Sequence, residues 1–324
     1  MIDLENKYNF ASGLKSKNIY KPNQNNDFKI SRSKFDDFRK CPRCFYCDVV
    51  KGFVAPGTPG WALNTKTDEL LKKEFDQYRE QEKPHPVFIE KGLKDIIPYK
   101  NNNLAKNVDG HIIKDSKYKK PYKIMDAWRT NSHGISIRFK NTNLILYGSV
   151  DDIWFNTKTD ELIVADYKSQ GTNESVNPDE YFSEKHKLDY KRQLNFYAYL
   201  LRNQKEKYKV YKKGYLYVVN ARGLEKSFEN KLIFENEIVP VVIDETDQSI
   251  EAEIQLMLDL MNSEKIPKAN PKCKNCAYSR RRACYDMGHD TIDINNFTNE
   301  LATNQLLFEA IKKYLKEKKN IIKI

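Results

Sequence analysis

No long charge-free apolar run occurs in this 324-residue chain, and its mean hydropathy is −0.76, which excludes a helical membrane-spanning protein. The opening residues Met1–Phe10 alternate charges and carry no apolar stretch behind a basic start, so no secretory signal is expected and a cytoplasmic setting is the expectation. There is no Walker-type glycine loop, so any nucleotide-driven motor would have to be a separate protein. Histidine numbers only five and shows no metal-ligand spacing, and no internal repeat is visible. What remains is ample for a core: 40% of residues are hydrophobic and 12% aromatic, which excludes a wholly disordered chain. The length suits one large domain or two modest ones.

The net charge of +11 is unevenly placed. Residues 1–60 carry 11 basic and 6 acidic side chains, 264–286 carry 7 and 2, and 301–324 carry 6 and 2, leaving the middle slightly acidic. A basic excess attracts nucleic acid, but a biased composition produces the same number, so charge alone leaves both readings open.

The six cysteines form two tight groups. Cys41-Pro-Arg-Cys44-Phe-Tyr-Cys47 is the first, and Cys273-Lys-Asn-Cys276 followed by Cys284 is the second. Clustered C-x-x-C spacing in a cytoplasmic protein points to metal or redox chemistry rather than to disulfides. Two C-x-x-C pairs suit tetrahedral zinc, and four thiolates also suit an iron–sulphur cluster. Buried, unligated thiols are the plain alternative. A thioredoxin-like site is not expected, because Cys41 follows a helical pattern. A shared site would staple together two distant parts of the chain.

Residues 1–29 form a polar, basic arm. Ser31 caps a short helix that carries Phe35 and Phe38. Phe53–Gly60 is a loop, and Trp61–Arg79 a helix with Leu63, Leu70, Leu71 and Phe75 on its buried side. Residues 84–125 have no clear pattern. Leu144–Phe155 and Glu161–Ser169 are strands joined by a hairpin loop at Asn156–Asp160. A helix is expected over 186–204, then strands at Tyr211–Asn220 and from Lys231–Phe234 through Val239–Ile243, then a helix at Ile250–Met261. Residues 292–322 are mostly helical and basic. The fold class is α/β, a mixed sheet with helices packed against it.

Acidic residues interrupt the strands where apolar ones are usual. The run Tyr147–Asp152 places Asp151 and Asp152 inside a strand, facing opposite ways, and Asp166 and Lys168 end the next strand pointing to one side, with Tyr167 on the other. One carboxylate from each strand can converge beside a lysine, and oxygen ligands of this kind suit Mg²⁺ or Mn²⁺. An ordinary surface salt bridge is the alternative, but the neighbouring apolar residues argue for burial, and buried acids need a reason.

The motifs Gly148-x-x-Asp151, Asp166-x-Lys168 and Gln193-x-x-x-Tyr197, in that order, resemble the RecB-like branch of the PD-(D/E)XK nucleases. The opening Ser31-Arg-Ser-Lys-Phe-x-x-Phe-x-x-Cys41-Pro-Arg-Cys-Phe-Tyr46 resembles the iron–sulphur members of that branch, such as the helicase-linked nuclease AddB and the CRISPR-associated exonucleases. The resemblance covers roughly residues 30–286. It implies a restriction-endonuclease-like α/β core with flanking helices, and residues 287–324 as a basic helical extension. It also implies a [4Fe–4S] cluster on Cys41, Cys273, Cys276 and Cys284. The long interval from Cys276 to Cys284 leaves Cys41, Cys44, Cys273 and Cys276, with zinc, as an alternative set.

Asp68 stands where the family often has a histidine and would join Asp151 and Asp166 on the catalytic Mg²⁺ or Mn²⁺. Lys168 would orient the attacking water, with Gln193 and Tyr197 on one helix face beside it. The implied activity is hydrolysis of DNA phosphodiesters, on single strands or at ends, in DNA repair, recombination or mobile-element processing. A separate helicase or recombination protein is a possible partner. Arg43 and Arg280, Arg281 and Arg282 are candidate phosphate contacts, although three successive arginines also suit a solvated turn. Two other readings stay open: an inactive nuclease-fold DNA-binding module, and a zinc-stapled protein-interaction scaffold.

Overall fold

The computed structural model describes residues 13–57, 59–222 and 231–286, the last three by backbone alone. The expected C-terminal helix over 292–322 and the side chain of Cys284 lie outside the described residues. In chain order the elements are β1 (Phe28–Ser31), α1 (Arg32–Lys40), α2 (Pro42–Val49), α3 (Ala62–Gln81), α4 (Pro86–Glu90), β2 (Ile96–Pro98), α5 (Ile124–Arg129), β3 (Ile135–Arg138) and β4 (Leu144–Gly148). They continue with β5 (Asp152–Asn156), β6 (Glu161–Gln170), a 3₁₀ turn at Lys185–Lys187, α6 (Leu188–Arg202), β7 (Lys213–Ala221), β8 (Phe234–Val242), α7 (Gln248–Met261) and α8 (Lys274–Asp286). This is a mixed α/β fold. No described helix is long and apolar enough to cross a membrane.

The chain forms two compact units. The first combines the described residues up to 57 with those from 248 onward, and the second is built from the stretch between them. In the first unit, Ser31 caps α1 by accepting a hydrogen bond from the Lys34 amide, as its sequence predicts. The chain turns sharply at Cys41, and Pro42 opens α2 with no amide to leave unsatisfied. Long-range bonds tie the two segments together: Tyr46 Oη donates to the Ser263 carbonyl at 2.7 Å, Tyr20 Oη donates to Asn262 at 2.7 Å, and Arg39 pairs with Glu253 at 2.7 Å.

The second unit holds a five-stranded sheet in the order β2-β5-β6-β7-β8, antiparallel except where β6 runs parallel to β7. That parallel pair needs a crossover, which α6 supplies. The β5–β6 hairpin is as expected. Asn156 Oδ1 accepts from the amides of Lys158 and Thr159, and Asp160 takes the left-handed conformation that closes the turn. Strand β6 is buried on both faces. Ile163, Ala165 and Tyr167 join Phe75, Phe88, Trp154 and Tyr217 in an aromatic-rich core. Val164, Asp166 and Lys168 take the opposite face, by the two-residue alternation of a strand. Gly214 on β7 lets α6 come close there, since a Cβ would stand 2.8 Å from Leu194 Cδ2.

Two expectations need correction. The run Leu144–Phe155 is two strands rather than one: β4 stops at Gly148 and β5 starts at Asp152, so Asp151 sits in the bend between them and not inside a strand. The bend is held by the Val150 amide donating to the Trp128 carbonyl at 3.0 Å and by Gly134, whose φ of +64° lets its backbone rest on Gly148. Second, Leu63 and Leu70 do not face the core; they are 72% and 55% exposed, and the buried stripe of α3 is Leu71, Phe75 and Arg79. The helix meets the sheet only from its middle onward, so periodicity alone overestimates its buried length. The run expected from Lys231–Phe234 through Val239–Ile243 holds one strand, β8, which tolerates Pro240 because it lies at the end of the sheet order. The unpatterned stretch 84–125 holds α4, β2, α5 and a strap of isolated bridges, such as Lys106 with Ile112.

Candidate active site and metal centre

The acidic cluster is assembled by β6, the bend before β5, α3 and α6. Asp166 is 1% exposed on β6. Its Oδ1 accepts from Gln193 Nε2 at 2.7 Å, and its Oδ2 lies 2.5 Å from Lys168 Nζ. Gln193 Oε1 stands 3.4 Å from the same ammonium, and its Nε2 is 3.4 Å from Tyr197 Oη. The helical spacing expected for Gln193 and Tyr197 thus does place both on the face that looks at β6. Asp151 Oδ2 accepts from the Tyr167 amide at 2.9 Å, which anchors the bend to the strand that carries Asp166. Asp68, half-buried on α3, pairs with Lys72 at 2.7 Å, and Lys72 reaches Asp151 at 3.7 Å.

Charge and burial act together here. Burial, and then the negative charge of Asp151, push the Asp166 carboxyl up to about 7. Asp68 is raised for the same two reasons. Burial pulls the Lys168 ammonium down, but the charges of Asp166 and Asp151 outweigh it and hold its pKa above the ordinary value. Asp68 Oδ1 and Asp166 Oδ2 are buried without a hydrogen bond, the second having only its ion pair with Lys168. Buried carboxylate oxygens left over in this way fit a divalent cation, which takes oxygen ligands and keeps several waters. Lys72 and Lys168 lie among these carboxylates, Lys72 beside Asp68 and Asp151 and Lys168 beside Asp166.

Asp152 follows Asp151 in sequence but belongs to another system. It is fully buried, and its Oδ1 lies 2.5 Å from Arg79 Nη2 and 2.9 Å from Arg129 Nη2, while Oδ2 accepts from Tyr167 Oη at 2.8 Å. Asp76 bridges the same two guanidiniums at 2.9 and 2.7 Å. Burial pushes Asp152 up, and Arg79 and Arg129 more than reverse this, so its pKa is lowered. The expectation that Asp152 faces away from the site holds, and its work is structural.

Two neighbours carried no expectation from sequence. Lys72 lies four residues after Asp68, a spacing that does pair charges on a helix, so its signal was present. Tyr190 places its ring 4.5 Å from Lys168 Nζ, one turn before Gln193, and nothing in its spacing separated it from core aromatics.

The cysteine group lies wholly within the first unit. Cys41, Cys44, Cys273 and Cys276 bring their sulphurs within 4.8 Å of one another, and among the described residues this is the one such group of three or more ligating side chains. The fourth described thiol is therefore Cys44, from the alternative set; Cys284 is outside the described side chains. Arg43 is half-buried on α2, Arg280 is half-buried on α8, and Arg281 and Arg282 are exposed beside it.

A family model for the PD-(D/E)XK nuclease superfamily matches residues 29–284. The chain belongs to that superfamily. No curated protein matches it in sequence. Asp166 on β6 and Asp68 on α3 are among the side chains in which this chain buries an unsatisfied carboxylate oxygen.

Proposed function

We propose that this chain is a metal-dependent DNA nuclease of the RecB-like branch, hydrolysing phosphodiester bonds of single strands or strand ends. The observation that carries the reading is the Asp166 carboxylate: fully buried, held on one oxygen by Gln193, with its other oxygen ion-paired to Lys168. Asp151, Asp166 and Asp68 would hold Mg²⁺ or Mn²⁺. A divalent ion there supplies charge neutralisation on the phosphate and lowers the pKa of a bound water. Gln193 fixes the rotation of Asp166 so that Oδ2 stays available. Lys168 keeps a full positive charge within reach of a phosphate oxygen and orients the water that attacks it. Tyr197 steadies Gln193 from the next turn of α6.

Arg43 and the Arg280–Arg282 run would add phosphate contacts, and a separate helicase or recombination protein would deliver the strand, in a repair, recombination or mobile-element setting. Purified protein with labelled DNA should cleave in Mg²⁺ or Mn²⁺ and stop on chelation. Asp166→Ala and Lys168→Ala should each lose at least about a hundredfold of that activity while remaining folded. Parental rates in both variants would overturn the assignment.

One observation favours a second reading. Lys72 pairs with Asp68 where the family often has a histidine, and it also faces Asp151. A chain that uses lysine as the permanent counterion would bind DNA without cutting it. Salt-sensitive binding with no cleavage in either metal would select that reading.

A further inference from the structure

We propose that Cys41, Cys44, Cys273 and Cys276 bind a single Zn²⁺ in a tetrahedral all-thiolate site, and not a four-iron cluster. The inference rests on the size of the cage and is independent of the nuclease reading. Cys41 and Cys276 sulphurs are 3.7 Å apart, Cys44 and Cys273 3.6 Å, and Cys44 and Cys276 3.3 Å. Four sulphurs around one ion at a Zn–S length of about 2.3 Å stand about 3.8 Å from each other. In a cubane each thiolate takes a different iron, which spreads the sulphurs to roughly 6 Å. All four sulphurs here lie within 4.8 Å, too close to enclose a cluster.

The surroundings are those of a thiolate site. Each C-x-x-C pair sits at a helix start: Cys41 and Cys44 at α2, Cys273 and Cys276 at α8. The unpaired amides of a helix N-terminus stabilise negative sulphur. Three N–H groups already lie near the sulphurs: the Asn270 amide 3.5 Å from Cys41, Asn275 Nδ2 3.4 Å from Cys44, and the Cys276 amide 3.4 Å from Cys273. Donors of this kind orient ligands and offset the charge of a tetrathiolate ion. Lys40, Arg43, Lys272 and Lys274 adjoin the ligands in sequence and offset the remaining charge. Zinc has no redox chemistry of its own, so the ion would join the two chain segments without exchanging electrons.

The test uses the full chain, produced with both iron and zinc in the medium and purified without oxygen. The expected result is about one zinc per chain, no acid-labile sulphide and no brown colour. Cys44→Ser should lose the zinc, and Cys284→Ser should keep it. If Cys44→Ser does not fold, Co²⁺ titrated into metal-stripped parent protein should produce the visible bands of tetrahedral tetrathiolate cobalt. Iron bound with labile sulphide, zinc lost in Cys284→Ser but kept in Cys44→Ser, or no uptake of Zn²⁺ or Co²⁺ by the parent would each overturn the proposal.

Discussion

Replacing Asp152 by asparagine separates the two adjacent aspartates by what each does. The substitution conserves size and removes one charge from a fully buried site, where Arg79 is 5% exposed and Arg129 is paired to the same oxygen. Leaving buried guanidiniums without their partner costs about 3–5 kcal/mol. Asp76 still contacts both, so the loss should fall near the lower end, about 3 kcal/mol. For a unit of this size, that corresponds to a melting point lower by about 6–12 °C.

The pH dependence has a definite sign. Asp152 is lowered in the folded chain, so its stabilisation is present above the ordinary carboxylate value and fades as pH falls through the folded one. The gap between parent and variant should therefore be widest near neutrality and close in acid. Urea denaturation followed by tryptophan fluorescence reads this directly, because Trp154 sits in the core that Tyr167 shares with it. Asp151→Asn is the companion: it should change stability by less than about 1 kcal/mol, as for a half-exposed group, while losing metal-dependent cleavage. Parental stability in Asp152→Asn, or an equal loss in Asp151→Asn, would refute the division of labour.

Two further outcomes follow from local geometry. Gly134→Ala forces a Cβ to 2.5 Å from the Gly148 carbonyl at a φ of +64°, so it should cost at least about 2 kcal/mol in thermal or chemical unfolding and displace the bend that carries Asp151; unchanged stability would remove the role assigned to that contact. Tyr190→Leu removes the ring beside Lys168 and should lower kcat by about two- to thirtyfold, the worth of a partly desolvated cation–π contact, whereas Tyr190→Phe keeps the ring and most of the rate; equal loss in both would assign the effect to the hydroxyl instead.

The hairpin between β5 and β6, the cap of α1 and the alternation that separates Asp166 and Lys168 from Tyr167 were legible in the sequence, because each depends on residues within a few positions of one another. The family's motifs were legible for the same reason, being short and in order. The bend before Asp151 was not. It depends on Gly134 and Trp128, which lie well before it in sequence and meet it only in the folded chain. Nor was the exposure of Leu63 and Leu70, since a helical period repeats whether or not a sheet lies beneath that part of the helix.

By itself the sequence determined the α/β class, the superfamily, and the choice of carboxylates, lysine and thiols, all of which are matters of residue type and local spacing. Which of those residues act together was decided by the tertiary structure. Two adjacent aspartates were sent to different systems by a break between strands, one to the strand that carries Asp166 and one to a pair of buried arginines. Two C-x-x-C pairs more than two hundred residues apart were brought to within a few ångströms of one another. Distances across the chain arise only from packing, and it is those distances that turn a list of ligands into a site.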